Sequence, residues 1–498
     1  MGFAVLVLSY LPFLIVLAYV LMDIFRQNPA VQHSTAYKAR RALNWLPLGF
    51  TYAFLYMARY NLTVSKTALG SLMTKEDFGF IFGAGTITYA LSFLINGPLT
   101  DKLGGKKAIL IGAIGAAVAN ILLGFVTYGI LVKNLALPLT LTFSVLYSLN
   151  MYFQSFGAVA IVKVNASWFH VRERGTFGGI FGILISLGLY FAFDWCQAIV
   201  NATKAGADEA TLTWLQQAMR FIFGIGGSPV DQTWWVFFVP AAILVIFAIL
   251  DIIIIRDEPV QAGFPNIYTA DASAGEDDKP FSLSEILKKI LTNKIILTIA
   301  CIEFCTGVLR NGIMHWYKIF IQEYPGLVSS DQVLPIHSFM DANWGLMLML
   351  AGVFGGMFAG TVSDRLFQSR RGPVAALLYG FLFVGTSLMI FSVGGNQTLL
   401  AVAVVWMSFA VIGTHGVLSG TSTMDFGGRR AAGTAVGLID GFVYLGTGFQ
   451  SISLGLITTR NWNWWPLFLV PFTLIGFILA MRIWKALPTP RAKPAQQG

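Results

Sequence analysis

Apolar residues run along this chain in long blocks rather than short alternating stripes. Blocks of eighteen or more, each long enough to carry a helix across roughly 30 Å of hydrocarbon, recur over the whole length. The pattern predicts spans near 2–25, 44–67, 77–98, 108–131, 137–165, 176–199, 232–255, 294–321, 342–363, 373–394, 398–422, 433–457 and 464–484. That is one N-terminal helix followed by two sets of six. A polar stretch over about 256–293 separates the sets. Within it, 281–291 places Ile286, Leu287, Ile290 and Leu291 on one side of an amphipathic surface helix. The expected division is an added helix and linker over 1–43, a six-helix bundle over 44–255, a central loop over 256–293, a second bundle over 294–485 and a tail over 486–498. A membrane β-barrel would instead show alternating segments of about 10 residues.

Composition agrees with this reading. Of 498 residues, 56% are hydrophobic and 11% charged, with mean hydropathy +0.69; a soluble domain carries about 25% charged residues. The 51 glycines suit close helix approach in a bilayer. A formal charge of +9 would fit nucleic acid, but its distribution assigns it elsewhere. Twenty-three of the 33 Lys and Arg fall in one alternate set of loops and the tail, Arg40, Arg41, Lys106, Lys107 and Arg371 among them; seven fall in the other set. Basic residues stay on the cytoplasmic side, so the N-terminus is expected outside and the C-terminus in the cytoplasm. The first span has no basic stretch before it and reads as an uncleaved anchor. The three cysteines lie inside spans, and no nucleotide loop, metal spacing or nucleophile motif appears, so neither an enzyme nor a cofactor is expected.

The two sets of six look like repeats. Gly97-Pro98-Leu99-Thr100-Asp101-Lys102 followed by Lys106-Lys107 has its counterpart in Gly360-Thr361-Val362-Ser363-Asp364-Arg365 followed by Arg370-Arg371. Arg59-Tyr60-Asn61 answers Arg310-Asn311, and Arg174-Gly175-Thr176 answers Arg430 with Gly433-Thr434. The Gly97–Lys107 pattern resembles the cytoplasmic loop signature of the major facilitator superfamily. Tyr56-Met57-Ala58-Arg59-Tyr60-Asn61, Asn150-Met151-Tyr152-Phe153-Gln154, Leu309-Arg310-Asn311-Gly312 with Trp316, and Tyr444-Leu445-Gly446 resemble its organophosphate:phosphate antiporter family. The resemblance covers roughly 44–484. It implies an all-α membrane protein with the major facilitator fold, two six-helix pseudo-repeats, here preceded by an extra transmembrane helix. It also implies that Arg59 and Arg310 clamp a substrate phosphate. Where glycerol-3-phosphate carriers have a late fourth-helix histidine this chain has Ser167, and Phe93 stands where they have a second-helix lysine.

The residues themselves support such chemistry. A guanidinium inside a bilayer costs about 2.5–3.5 kcal/mol on insertion scales, so two of them need a function or partners. Arginine's planar fork matches phosphate oxygens two at a time, and one arginine from each half neutralises a charge near −2. Without an anion both charges would stay buried and unpaired, which disfavours return of the unloaded carrier and favours exchange. The alternative for Arg310 is Glu303, seven positions back and about 10 Å along the axis. Tyr52, Tyr56, Arg59 and Thr63 share one helix face, as do Asn150 and Gln154. Lys163 reads either as a substrate contact or as a cation snorkelling to the surface, and Asp440, in a stripe with Tyr444, either as a proton-relay acid or as a salt-bridge partner of an arginine. His415 is a ligand or proton site or else a satisfied bundle residue. Asp101, Asp364 and Arg365 read as conformational gates.

The expected function is exchange of an organic phosphate for inorganic phosphate, by a monomer in a bacterial inner membrane with no nucleic-acid partner. Proton-coupled transport of another small anion and a non-transporting sensor of sugar phosphate are the competing readings.

Overall fold

Hydrocarbon offers no water to satisfy peptide groups, so a chain this apolar closes its hydrogen bonds within helices. The computed structural model describes residues 2–25, 31, 33–170, 173–208, 212–225, 228–265, 267, 269, 292, 294–324, 335–367 and 370–485; within these, the side chains of 2–9, 174–178, 335, 364, 420–436 and 438 are not described. The expected surface helix over 281–291 lies outside the described residues.

The first half comprises α1 (Gly2–Phe25), α2 (Thr35–Leu69), α3 (Lys75–Leu103), α4 (Gly105–Lys133), α5 (Leu139–Ala166) and α6 (Arg174–Tyr190). A π-helical turn (Phe191–Trp195) carries α6 into α7 (Cys196–Thr203), and α8 (Trp214–Phe223) and α9 (Trp235–Ile254) follow. The second half comprises α10 (Lys294–Glu323), α11 (Pro335–Leu366), α12 (Arg371–Ser392) and α13 (Gln397–His415). A second π-helical turn (Gly416–Thr421) leads to α14 (Ser422–Arg460) and then α15 (Trp464–Arg482). Ser419 Oγ donates to Asp440 Oδ1 although 21 positions separate them. A straight helix would hold those residues about 31 Å apart, so the chain reverses between them.

Two boundaries differ from expectation for identifiable reasons. α2 starts at Thr35 rather than near 44, because Ser34 Oγ accepts from Tyr37 N at 3.2 Å and caps a basic first turn that apolarity alone does not register. The stretch between the expected spans 176–199 and 232–255 contains α8, started by a capping box between Thr213 and Gln216. Ten described helices are long and apolar enough to span a membrane by themselves. α2 and α14 are not among them; polar residues dilute their apolar runs.

α3 and α14 meet backbone to backbone across the halves. A Cβ on Gly79 would lie 2.6 Å from the Ser451 carbonyl oxygen, so only glycine permits this approach. The contacts at this end of the molecule, where α2 and α10 finish, seal the halves together. Lys66 pairs with Glu323, and Lys75 Nζ donates to the Thr458 carbonyl at 2.9 Å. Thr63 Oγ1 lies 2.7 Å from His315 Nδ1. α11 breaks at Asn343 (φ −129°, ψ 22°), and the Asp194 carboxylate, from the π-helical turn of α6, accepts from Gly345 N at 2.6 Å and Leu346 N at 2.9 Å. A residue of one half thus caps a restarted helix of the other.

At the opposite end an ion network fastens α1 to the bundle. Arg41 reaches Asp23 at 2.6 Å and Glu173 at 3.0 Å, and His33 Nε2 lies 3.1 Å from Glu173 Oε2. Burial pushes the Glu173 carboxyl up, but the His33 hydrogen bond and the Arg41 charge outweigh it and hold the group at about 2.

Candidate functional site

Arg59 is fully buried in α2, and four of its five N–H donors have partners. Its Nε and Nη2 donate to Gln154 Oε1 at 3.2 and 3.1 Å, Nη1 to the Tyr444 hydroxyl at 2.6 Å, and Nη2 also to the Tyr89 hydroxyl at 3.2 Å. The rings of Tyr89 and Tyr56 have their centroids 4.5 and 4.7 Å from the guanidinium carbon. Tyr444 belongs to α14, so this set already joins the halves. Asn150 braces the geometry from behind: its Nδ2 donates to the Ala58 carbonyl at 2.9 Å, beside Arg59, while Asn120 donates to Asn150 Oδ1 at 3.3 Å. Asn150 thus holds the backbone, and Gln154, one turn on, aims the guanidinium.

Arg310, 4% exposed, faces the Tyr56 hydroxyl. Its Nη2 is buried with no hydrogen-bond partner among the described residues. Tyr56 therefore stands between the two arginines, with its ring on Arg59 and its hydroxyl toward Arg310. Tyr52 packs edge-on against Tyr56 at 5.3 Å and extends this wall. Unmet donors buried at such a place are costly unless something accepts from them. Two guanidinium groups flanked by tyrosine hydroxyls suit an anion with several oxygens.

Other expected residues lie elsewhere. Lys163 pairs with Asp101 at 3.0 Å, a partly exposed bridge between α5 and α3 rather than a contact beside the arginines. Glu303 is not the partner expected for Arg310; its Oε2 lies 2.9 Å from His415 Nδ1 instead. Asp440 accepts from Ser419, and among the described residues no ion pair joins it to either arginine. Arg59 has no carboxylate partner among the described residues; neutral hydroxyl and amide oxygens solvate its charge. Arg365 is exposed at the end of α11, and the Asp364 side chain lies outside the described residues. No group of His, Cys, Asp or Glu suited to a metal occurs among the described residues.

Sequence reading missed Tyr89 and His315. Tyr89 lies one turn before Phe93, the position that stands where glycerol-3-phosphate carriers have a lysine, and so shares its face. His315 lies five positions after Arg310; its ring packs at 4.5 Å from Phe82 and 4.6 Å from Tyr60, which seals the halves on one side of the arginines.

Comparisons with known proteins bear on the family and the fold. The sequence model described as Major Facilitator Superfamily matches residues 48–451. The glycerol-3-phosphate transporter of Bacillus subtilis is 26% identical over 482 residues, covering 93% of this chain and 98% of that protein. A probable hexose phosphate transport protein of Chlamydia trachomatis is 24% identical over 481 residues, covering 90% and 92%. Among solved structures, a bacterial homologue of the human lysosomal transporter Spinster, inward-facing and occupied, superposes with a TM-score of 0.65 at 16% identity, over 93% of this chain and all of that one.

Proposed function

This chain belongs to the Major Facilitator Superfamily, and within that family we propose that it exchanges an organic phosphate ester for inorganic phosphate by alternating access. One observation carries the reading: the buried, unpartnered Nη2 of Arg310, held beside a preorganised Arg59 by a shared tyrosine. A phosphate oxygen completes that donor set, and a second oxygen meets the Tyr56 and Arg59 side. The full-length similarity to phosphate-ester carriers supports the same ligand class. Basic residues concentrate away from the sealed end, which supports that end as the outer one. Anion binding draws the halves together about the site, and rocking then exposes it to the other side. The carrier works as a monomer in a bacterial inner membrane, with its N-terminus outside.

Proteoliposomes test this directly. Vesicles loaded with unlabelled phosphate should take up radiolabelled phosphate quickly, and an external phosphate ester should compete. Uptake that ignores internal phosphate would contradict exchange, and binding without flux would mark a sensor instead.

A further inference from the structure

The second half surrounds Arg310 with ionisable side chains that the anion site leaves unused. Glu303, with none of its surface exposed, sits two turns before Arg310 on α10. Its Oε2 lies 2.9 Å from His415 Nδ1, and its Oε1 is buried without a hydrogen-bond partner among the described residues. The His415 side chain is 17% exposed, so the pair has a route to water. Asp440 of α14 faces His415, and Arg310 faces both. Cys305 of α10 and Tyr379 of α12 face Glu303. The neighbouring stretches 179–189 of α6, 345–363 of α11 and 464–480 of α15 carry no Asp, Glu, His, Lys or Arg.

Charge balance gives these groups a task. Arg59 and Arg310 contribute two positive charges, and ionised Glu303 and Asp440 cancel them. A phosphate monoester near −2 would then leave two uncompensated negative charges inside the bilayer, a costly arrangement. A carboxyl oxygen that accepts from nothing is a natural position for a proton. We propose that Glu303 and His415 form a proton site that loads with each anion, so that phosphate crosses together with a proton on the protein. As the dianion binds, one proton from water on the open side adds to the Glu303 carboxylate or the His415 imidazole and cancels one of the two excess negative charges. It returns to water as the anion leaves. This rests on the reading of the arginines as an anion site and adds the co-transported species to it.

The test is phosphate-for-phosphate exchange by the full chain in proteoliposomes, at equal internal and external pH, between pH 5.5 and 8.5. Phosphate itself titrates in this range, so each variant is compared with wild type at every pH. Wild-type exchange is expected to fall by up to about tenfold per unit on the alkaline side, as one proton is lost (tenfold per unit of proton activity). Glu303→Gln, which keeps the group neutral, should flatten that fall. His415→Gln should displace it, and carries the test if Glu303→Gln does not give a monodisperse protein. Parallel pH profiles in wild type and a folded variant overturn the proton site and leave the anion site standing. Failure of wild type to exchange phosphate at any pH overturns the proposed function, and the proton site with it.

Discussion

Arg59 and Arg310 occupy matching places in the two halves, yet their surroundings differ in kind. Arg59 is fixed before any anion arrives, by Gln154, Tyr89 and Tyr444. Arg310 keeps a buried donor without a partner and has acids and a histidine for neighbours. The first arginine is preorganised, and the second is the one whose bonding an anion completes. A binding site gains affinity when one side needs no reordering, and gains coupling to motion when the other side changes on binding.

Alanine substitutions should separate the two roles. Arg59→Ala strands three buried acceptors or hydroxyls and should lower stability by about 2–4 kcal/mol, at about 1 kcal/mol per lost hydrogen bond. Arg310→Ala should leave thermal unfolding in detergent nearly unchanged. Equal destabilisation by both would erase the distinction.

The seal between the halves offers the next largest effect. Asp194→Ala uncaps Gly345 and Leu346, a loss of about 1–2 kcal/mol, and should raise the opening equilibrium of that end by about 5–30-fold. Reaction of a Phe78→Cys variant with a water-soluble maleimide would report it. Unchanged labelling would show that the cap does not hold the halves together.

Tyr444→Phe removes one bond to Arg59 across the halves and should weaken phosphate binding about fivefold, the equivalent of about 1 kcal/mol. The smallest effect belongs to Lys163→Ala. Because that lysine is bound to Asp101, away from the arginines, phosphate affinity should stay within about twofold, as for other partly exposed pairs. A larger loss would return Lys163 to the binding site.

Most of the architecture was legible in the sequence because the bilayer imposes its period on the chain: long apolar blocks, basic loops and repeated landmarks such as Asp101 and Asp364 each follow from one physical constraint. The arginines were legible for the same reason, since charge inside a span is rare. Their partners were harder to read. Tyr89 carries no charge to mark it out among 16 tyrosines, and the pairing of Glu303 with His415 joins residues 112 positions apart, beyond any helical spacing. Lys163 misled because a cation in a span signals function only until a partner such as Asp101 is found. Helix ends set by Ser34 and Thr213 depend on single caps, to which hydropathy is blind.

The account turns on the two guanidinium groups acting together on one anion. Equilibrium binding of radiolabelled phosphate to purified wild type, Arg59→Lys and Arg310→Lys tests this most directly. Lysine keeps the charge and loses the fork, so each variant should lose about 10–100-fold in affinity, the worth of a charge-assisted bond of about 1.5–3 kcal/mol. If folded Arg310→Lys binds phosphate as tightly as wild type, the anion is held elsewhere and the central claim is wrong.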